Sequence, residues 1–136
     1  MGPWESLRRR ILVVDDDPDI RALLLLALDA EGFEVQAAAD GAQALELLGA
    51  WSPHLILLDL WMPGMDGWAF RSQQLTRDAL ASIPVVVLTA GRNLQSRVDQ
   101  LQAAAIVPKP FNLDALLGLT RALVGQDRPP LLASPN

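Results

Sequence analysis

Five short apolar runs punctuate the chain, at residues 11–14, 33–37, 55–58, 84–88 and 105–107. Each is rich in aliphatic or small apolar residues and bounded by turn formers, as expected for strands. Except for 33–37, which Glu34 and Gln36 interrupt, none alternates apolar with polar positions, so both faces of such strands must be covered. The stretches between them are long enough for one helix each. Asp17-Pro18 opens the first with an N-cap residue and a first-turn proline, and Glu31-Gly32 closes it with a C-cap glycine. Further helices are expected over residues 41–49, 67–81, 92–103 and 112–124.

This β-α alternation predicts an α/β domain, a doubly wound (βα)5 parallel sheet with helices on both faces and right-handed crossovers. Pro108 cannot donate to a ladder, which places the fifth strand at a sheet edge. Residues 1–10 read as a lead-in and residues 125–136 as a flexible Pro-rich tail or the start of a linker, because neither carries helical or strand periodicity.

Composition narrows the function. With 136 residues, 51% of them hydrophobic, the chain can bury one substantial core. It has no cysteine, which excludes disulfides and thiolate-zinc sites and leaves any metal to oxygen ligands. A net charge of −5 gives no reason to expect direct nucleic-acid binding, and the Arg8-Arg9-Arg10 run reads as a solvated lead-in. The longest apolar run, residues 22–28, is far short of the roughly 20 residues that a membrane span needs. No membrane association is expected. The leucines of that run fall on more than one helix face, which leaves a homodimer surface open beside a core role.

In an open parallel sheet, ligands bind beyond the carboxyl ends of the strands. Those ends carry Asp15-Asp16-Asp17, Asp59, Thr89 and, past Pro108, Lys109. Singly, each also fits a structural role: a helix cap, a turn former, a surface charge. Together they form a cluster whose carboxylates repel unless a cation neutralises them, and Mg²⁺ suits such oxygen ligands best. Asp59 beside a metal, an ammonium and a hydroxyl is placed to attack phosphorus and form an aspartyl phosphate. The only histidine, His54, begins the third strand at the opposite end, so a structural role is expected there rather than phosphodonation. Met62, Met65 and Trp68 are expected to pack the following turn against the third helix, with Gly64 and Gly67 permitting its backbone.

The segments ILVVDDDPDIRALL, LILLDLWMPGMDG, VVVLTA and PKPF, in this order, resemble the receiver domain of two-component response regulators over residues 11–124. The resemblance implies a flavodoxin-like three-layer sandwich of strand order 2-1-3-4-5. It implies Asp59 as phosphoacceptor, and Asp15 and Asp16 as the acidic pair that organises Mg²⁺ (with Mn²⁺ as a substitute), Asp16 being the more direct ligand. The backbone carbonyl of Trp61 would be a further ligand, and Thr89 and Lys109 would hold the phosphoryl group. The Lys109-Pro110 peptide matches the family's usual cis bond. A sensor histidine kinase or histidine phosphotransfer domain would donate the phosphoryl group to a cytoplasmic switch, which passes the signal to a downstream protein target. Such a protein is a signalling receiver that assists its own phosphorylation and dephosphorylation, not an enzyme with a separate substrate.

Three departures stand out. The family's usual aromatic switch residue is replaced by Ile106, and the segment between Thr89 and Lys109 is short, with Gln102-Ala103-Ala104-Ala105 before the last strand; the fourth helix is therefore expected to be shifted or frayed. Bulky Trp61 stands two residues after the acceptor position and Gly91 two after Thr89; the Trp61 ring is expected to shelter the phosphoryl group, with a plain surface position as the alternative. An aspartate-nucleophile phosphatase would need a second Asp where Trp61 stands. A degenerate receiver acting as a phosphorylation-independent interaction module is the alternative that Ile106 keeps open.

Overall fold

The computed structural model describes residues 8–90 and 98–125. Its strands are β1 (Arg10–Val14), β2 (Glu34–Ala38), β3 (Leu55–Asp59), β4 (Val85–Thr89) and β5 (Ala105–Pro108). All pair in parallel, in the order β2-β1-β3-β4-β5, so β5 is an edge strand as Pro108 requires. The helices are α1 (Pro18–Ala30), α2 (Gly41–Leu48), α3 (Gly67–Leu75), α4 (Asp78–Ala81), α5 (Val98–Leu101) and α6 (Leu113–Val124). None of the described helices is long and apolar enough to cross a membrane.

Successive side chains of a strand point to opposite faces, and in the central strands β1, β3 and β4 both faces are buried. Ile11, Val13, Leu55, Leu57, Val86 and Leu88 pack with Leu24 and Leu28 of α1 and Leu116 and Leu117 of α6. Leu12, Val14, Ile56, Leu58, Val85 and Val87 pack on the other face with Ala44 and Leu48 of α2, Trp68 and Phe70 of α3, and Leu101 of α5. Truncating any one of these leucines to alanine typically costs about 2–5 kcal/mol. In the leucine-rich run, Leu24 and Leu28 enter the core, while Leu26 stands 74% exposed.

Several boundaries differ from the sequence expectation. The first strand starts at Arg10, and Arg8 belongs to the fold: its guanidinium donates to the carbonyls of Gly32 and Phe33 at 2.8 and 2.6 Å, so it ties the lead-in to the turn after α1. The expected helix over 67–81 divides into α3 and α4. The Thr76 hydroxyl turns back to the Gln73 carbonyl at 2.8 Å, and Gln74 Nε2 donates to the carbonyls of Leu80 and Ile83, so side chains replace the helical ladder at the break. Of the expected helix over 92–103, residues 92–97 lie outside the described residues, as do Gly91 and the tail beyond Gly125. Its described part ends at Leu101, followed by Gln102 at φ 46°, a left-handed residue of the kind that terminates helices.

Candidate functional site

The site grows from two adjacent central strands. β1 and β3 pair through Val14 and Leu58, so the residues that follow, Asp15 and Asp59, emerge side by side at the carboxyl edge. β2 and β3 flank β1 on either side, which makes this edge the point where strand order reverses. Of the three clustered acids, Asp17 caps α1, its carboxylate accepting from Asp19 N at 2.9 Å. Asp15, Asp16 and Asp59 bring one carboxylate oxygen each within 4.8 Å of one another. Asp15 and Asp59 are buried and Asp16 is exposed.

Each buried carboxylate has fixed partners. Asp15 Oδ1 accepts from Asp17 N at 2.9 Å, and its backbone carbonyl accepts from Arg21 on α1 at 2.8 Å. Asp59 Oδ1 accepts from the amide of Trp61 at 3.2 Å. Lys109, just past β5, reaches across β4: its Nζ stands 2.7 Å from Asp15 Oδ2 and 3.6 Å from Asp59 Oδ2. Its amide donates to the Thr89 carbonyl at 2.8 Å, so the end of β4, where Thr89 is buried, and the lysine are stitched together. The Lys109-Pro110 peptide is cis.

One lysine does not balance three acids. Burial, then the neighbouring charge of Asp15, push the Asp59 carboxyl up to about 6, against the opposing pull of Lys109 and the Trp61 amide. A cluster of oxygen donors in which Asp59 resists ionisation is a fit for a hard divalent cation, and Asp15, Asp16 and Asp59 are the residues that could hold it.

The loop after Asp59 is held close to the site by two glycines. Gly64 adopts φ 72°, which side chains rarely tolerate. At Gly67 a Cβ would lie 2.2 Å from the Asp59 carbonyl oxygen, so only glycine lets α3 begin against the backbone of Asp59. Trp61 is 47% exposed, and its ring meets Trp68 of α3 edge-on at 6.1 Å between centroids. Met62 and Trp68 are buried and Met65 packs against the same core, as expected for residues that fasten this turn.

The remaining expected positions lie elsewhere. Ile106 stands exposed on β5, away from the carboxyl edge. His54 precedes β3 at the opposite edge, where its Nδ1 accepts from the Arg10 amide at 3.0 Å; burial and then the charges of Arg9 and Arg10 lower its pKa, consistent with a structural role. Sequence reasoning missed Arg71, a guanidinium buried between α3 and α5. Its three-residue spacing from Trp68 put it on the inward stripe of the helix, and that was the available signal.

Residues 11–121 match the family described as the response regulator receiver domain. Among curated proteins, the chain is 39% identical over 122 residues to response regulator MprA of Mycobacterium avium, and 40% identical over the same length to MprA of Mycolicibacterium vanbaalenii; each match covers 88% of this chain. The chain spans about half the length of these relatives, 53% and 52%. Among solved structures it is similar to the Thermotoga maritima response regulator TrrA in complex with Mg²⁺-BeF, with a TM-score of 0.75 and 34% identity over 85% of this chain and 99% of that one. The chemotaxis response regulator CheY4 of Vibrio cholerae superposes with a TM-score of 0.79 at 28% identity, covering 86% and 99% of the two chains. An acidic cluster at the strand-order reversal, on a sheet that these proteins share, is what a family match over most of the chain leads one to find: the chain belongs to the response regulator receiver domain family.

Proposed function

We propose that Asp59 accepts a phosphoryl group from a phosphohistidine on a sensor kinase or phosphotransfer domain, and that the chain is a switch read by a downstream protein. The observation that carries this reading is the Lys109 ammonium set between Asp15 and Asp59, within reach of both. An Asp59 carboxylate oxygen bonds to phosphorus as the donor's P–N bond breaks, and the electron pair returns to the imidazole nitrogen, which takes up a proton. Lys109 offsets the charge on the phosphoryl oxygens, and Asp15 keeps the ammonium in place. Thr89, at the end of β4, supplies the hydroxyl that follows the new group. Bound Mg²⁺, or Mn²⁺ in its stead, would supply the further positive charge that phosphoryl transfer needs, held by Asp15, Asp16, Asp59 and the Trp61 carbonyl. The TrrA structure with Mg²⁺-BeF, a phosphoryl mimic, supports that assignment.

Residues 11–124 form the receiver unit in this reading, extended at its start by Arg10 of β1 and by the hydrogen bonds of Arg8. Incubation with acetyl phosphate and Mg²⁺, read by intact mass, tests it. One phosphoryl adduct on the wild type and none on Asp59→Ala is expected. Exposed Ile106 favours a second reading, a receiver that binds partners without phosphorylation, and absence of the wild-type adduct would select that one.

A further inference from the structure

Arg71 is 4% exposed, and its guanidinium is spent on three neutral acceptors. Nε donates to the Leu101 carbonyl at 2.6 Å, one terminal nitrogen to the Gln102 carbonyl at 2.8 Å, and the other to Gln74 Oε1 at 2.7 Å. Among the described residues, no carboxylate pairs with it. Gln74, itself fully buried, is held by the carbonyls of Leu80 and Ile83 before β4. The network thus joins α3, the α4–β4 turn and the last residues of α5.

The place it grips is significant. Leu101 and Gln102 lie within the short segment that links Thr89 to Lys109, and Gln102 is the left-handed residue where α5 stops. Two residues later, the Ala104 amide bonds the Val85 carbonyl at 2.8 Å and the chain enters β5, which delivers Lys109. A buried guanidinium that loses an acceptor bears a desolvation penalty, so these bonds resist drift of the end of α5 away from α3. Burial alone already lowers the Arg71 pKa, a sign that its charge is poorly solvated.

We infer that Arg71 is a positioning residue for the phosphoryl switch: by anchoring Leu101 and Gln102 to α3 it fixes the segment that carries Lys109 to the acceptor edge. This rests on the reading of Asp59, Thr89 and Lys109 given above. Divalent-cation binding needs only the donors at and just beyond the ends of β1 and β3, Asp15, Asp16, Asp59 and the Trp61 carbonyl, whereas capture of a phosphoryl mimic also needs Lys109 and Thr89 in place. The two affinities therefore separate an effect on the switch from an effect on the fold.

The experiment measures Mg²⁺ affinity, beryllofluoride affinity in saturating Mg²⁺, and backbone amide exchange on the full chain, for wild type, Arg71→Met and the milder Arg71→Lys. In Arg71→Met, exchange at residues 101–105 should rise about tenfold while β1 and β3 stay protected, as for a local opening. Beryllofluoride affinity should fall about fivefold through lost preorganisation, with Mg²⁺ affinity within about twofold. Arg71→Lys, which keeps one donor group, should lie between. Equal beryllofluoride affinity in the wild type and both variants would overturn the inference, as would unchanged exchange at 101–105, and either would leave the acceptor assignment standing. Failure of the wild type to bind beryllofluoride would instead remove the switch reading and this inference with it.

Discussion

Along β1 and β3 the residues from Ile11 to Val14 and from Leu55 to Asp59 are all buried, whereas β5 alternates half-buried and exposed positions from Ala105 to Pro108. The first pair of strands is flanked by neighbours on both sides and covered on both faces; β5 has a single neighbour and carries Ile106 out to solvent. The acceptor therefore sits on the most constrained backbone of the molecule, and the lysine that answers it arrives on the least constrained. Phosphoryl capture as proposed needs both: carboxylates at fixed spacing for the ion, and a cation held within reach of them. In this chain the β5 side carries an exposed Ile106, and in our inference the buried Arg71 supplies order that the edge strand itself does not.

Four substitutions test that contrast. The largest effect is expected from Lys109→Met, which takes away the group that links the two sides. Adduct formation from acetyl phosphate should slow about 100-fold, the usual loss for one charge-stabilising donor. A rate within twofold of wild type would mean that the ammonium seen between Asp15 and Asp59 is structural only.

Asp59→Asn comes next and probes the cost of the constrained side. The Asp59 carboxyl titrates at about 6 in the folded protein, above the roughly 3.9 of an unfolded chain, so the folded state binds the extra proton between those values. That contribution to stability is fully present below about pH 4 and is lost as pH rises through about 6. In the absence of divalent cations, Asp59→Asn should be more stable than wild type by about 2 kcal/mol at pH 7, and the gain should fade on acidification toward pH 4. Urea unfolding at several pH values measures it; a gain independent of pH would show that the charge is not what strains the site.

Trp61→Ala is expected to be smaller: loss of the ring beside the acceptor should let water reach the phosphoryl group and hasten decay about threefold. Decay no faster than wild type would reduce Trp61 to a surface residue packed on Trp68. The smallest effect belongs to Ile106→Ala, with stability within about 0.5 kcal/mol, as for an exposed side chain, and beryllofluoride affinity within about twofold. A tenfold change there would break the contrast, because it would make the exposed edge position part of the switch.

The constrained side was legible in the chain. A strand buried on both faces must be written as an uninterrupted apolar run, and a charge directly after it, as at Asp15 and Asp59, has only the sheet edge to occupy. Pro108 announced an edge strand for an equally local reason. What escaped notice depends on contacts between distant segments. The spacing of Arg71 from Trp68 could mark it as inward-facing, but its role depends on Leu101 and Gln102, about thirty positions on, which turn their carbonyls toward it. Arg8 looked like part of a solvated basic run, and only the turn after α1 shows its partners. The break at Thr76 was hidden for the same reason, since Gln74 satisfies carbonyls beyond the break that no periodicity could register.

The chain has four tryptophans and no tyrosine, and the described ones fall at the two ends of the sheet. Trp51 lies under the Arg10 guanidinium near the start of β1, at 5.6 Å, while Trp61 and Trp68 meet edge-on beside the acceptor. In optical terms the described residues carry a reference chromophore at one end and, at the other, a coupled pair of which Trp61 is half-exposed and Trp68 buried. Near-ultraviolet circular dichroism and intrinsic emission can thus follow events at Asp59 against a fixed internal standard, without a label.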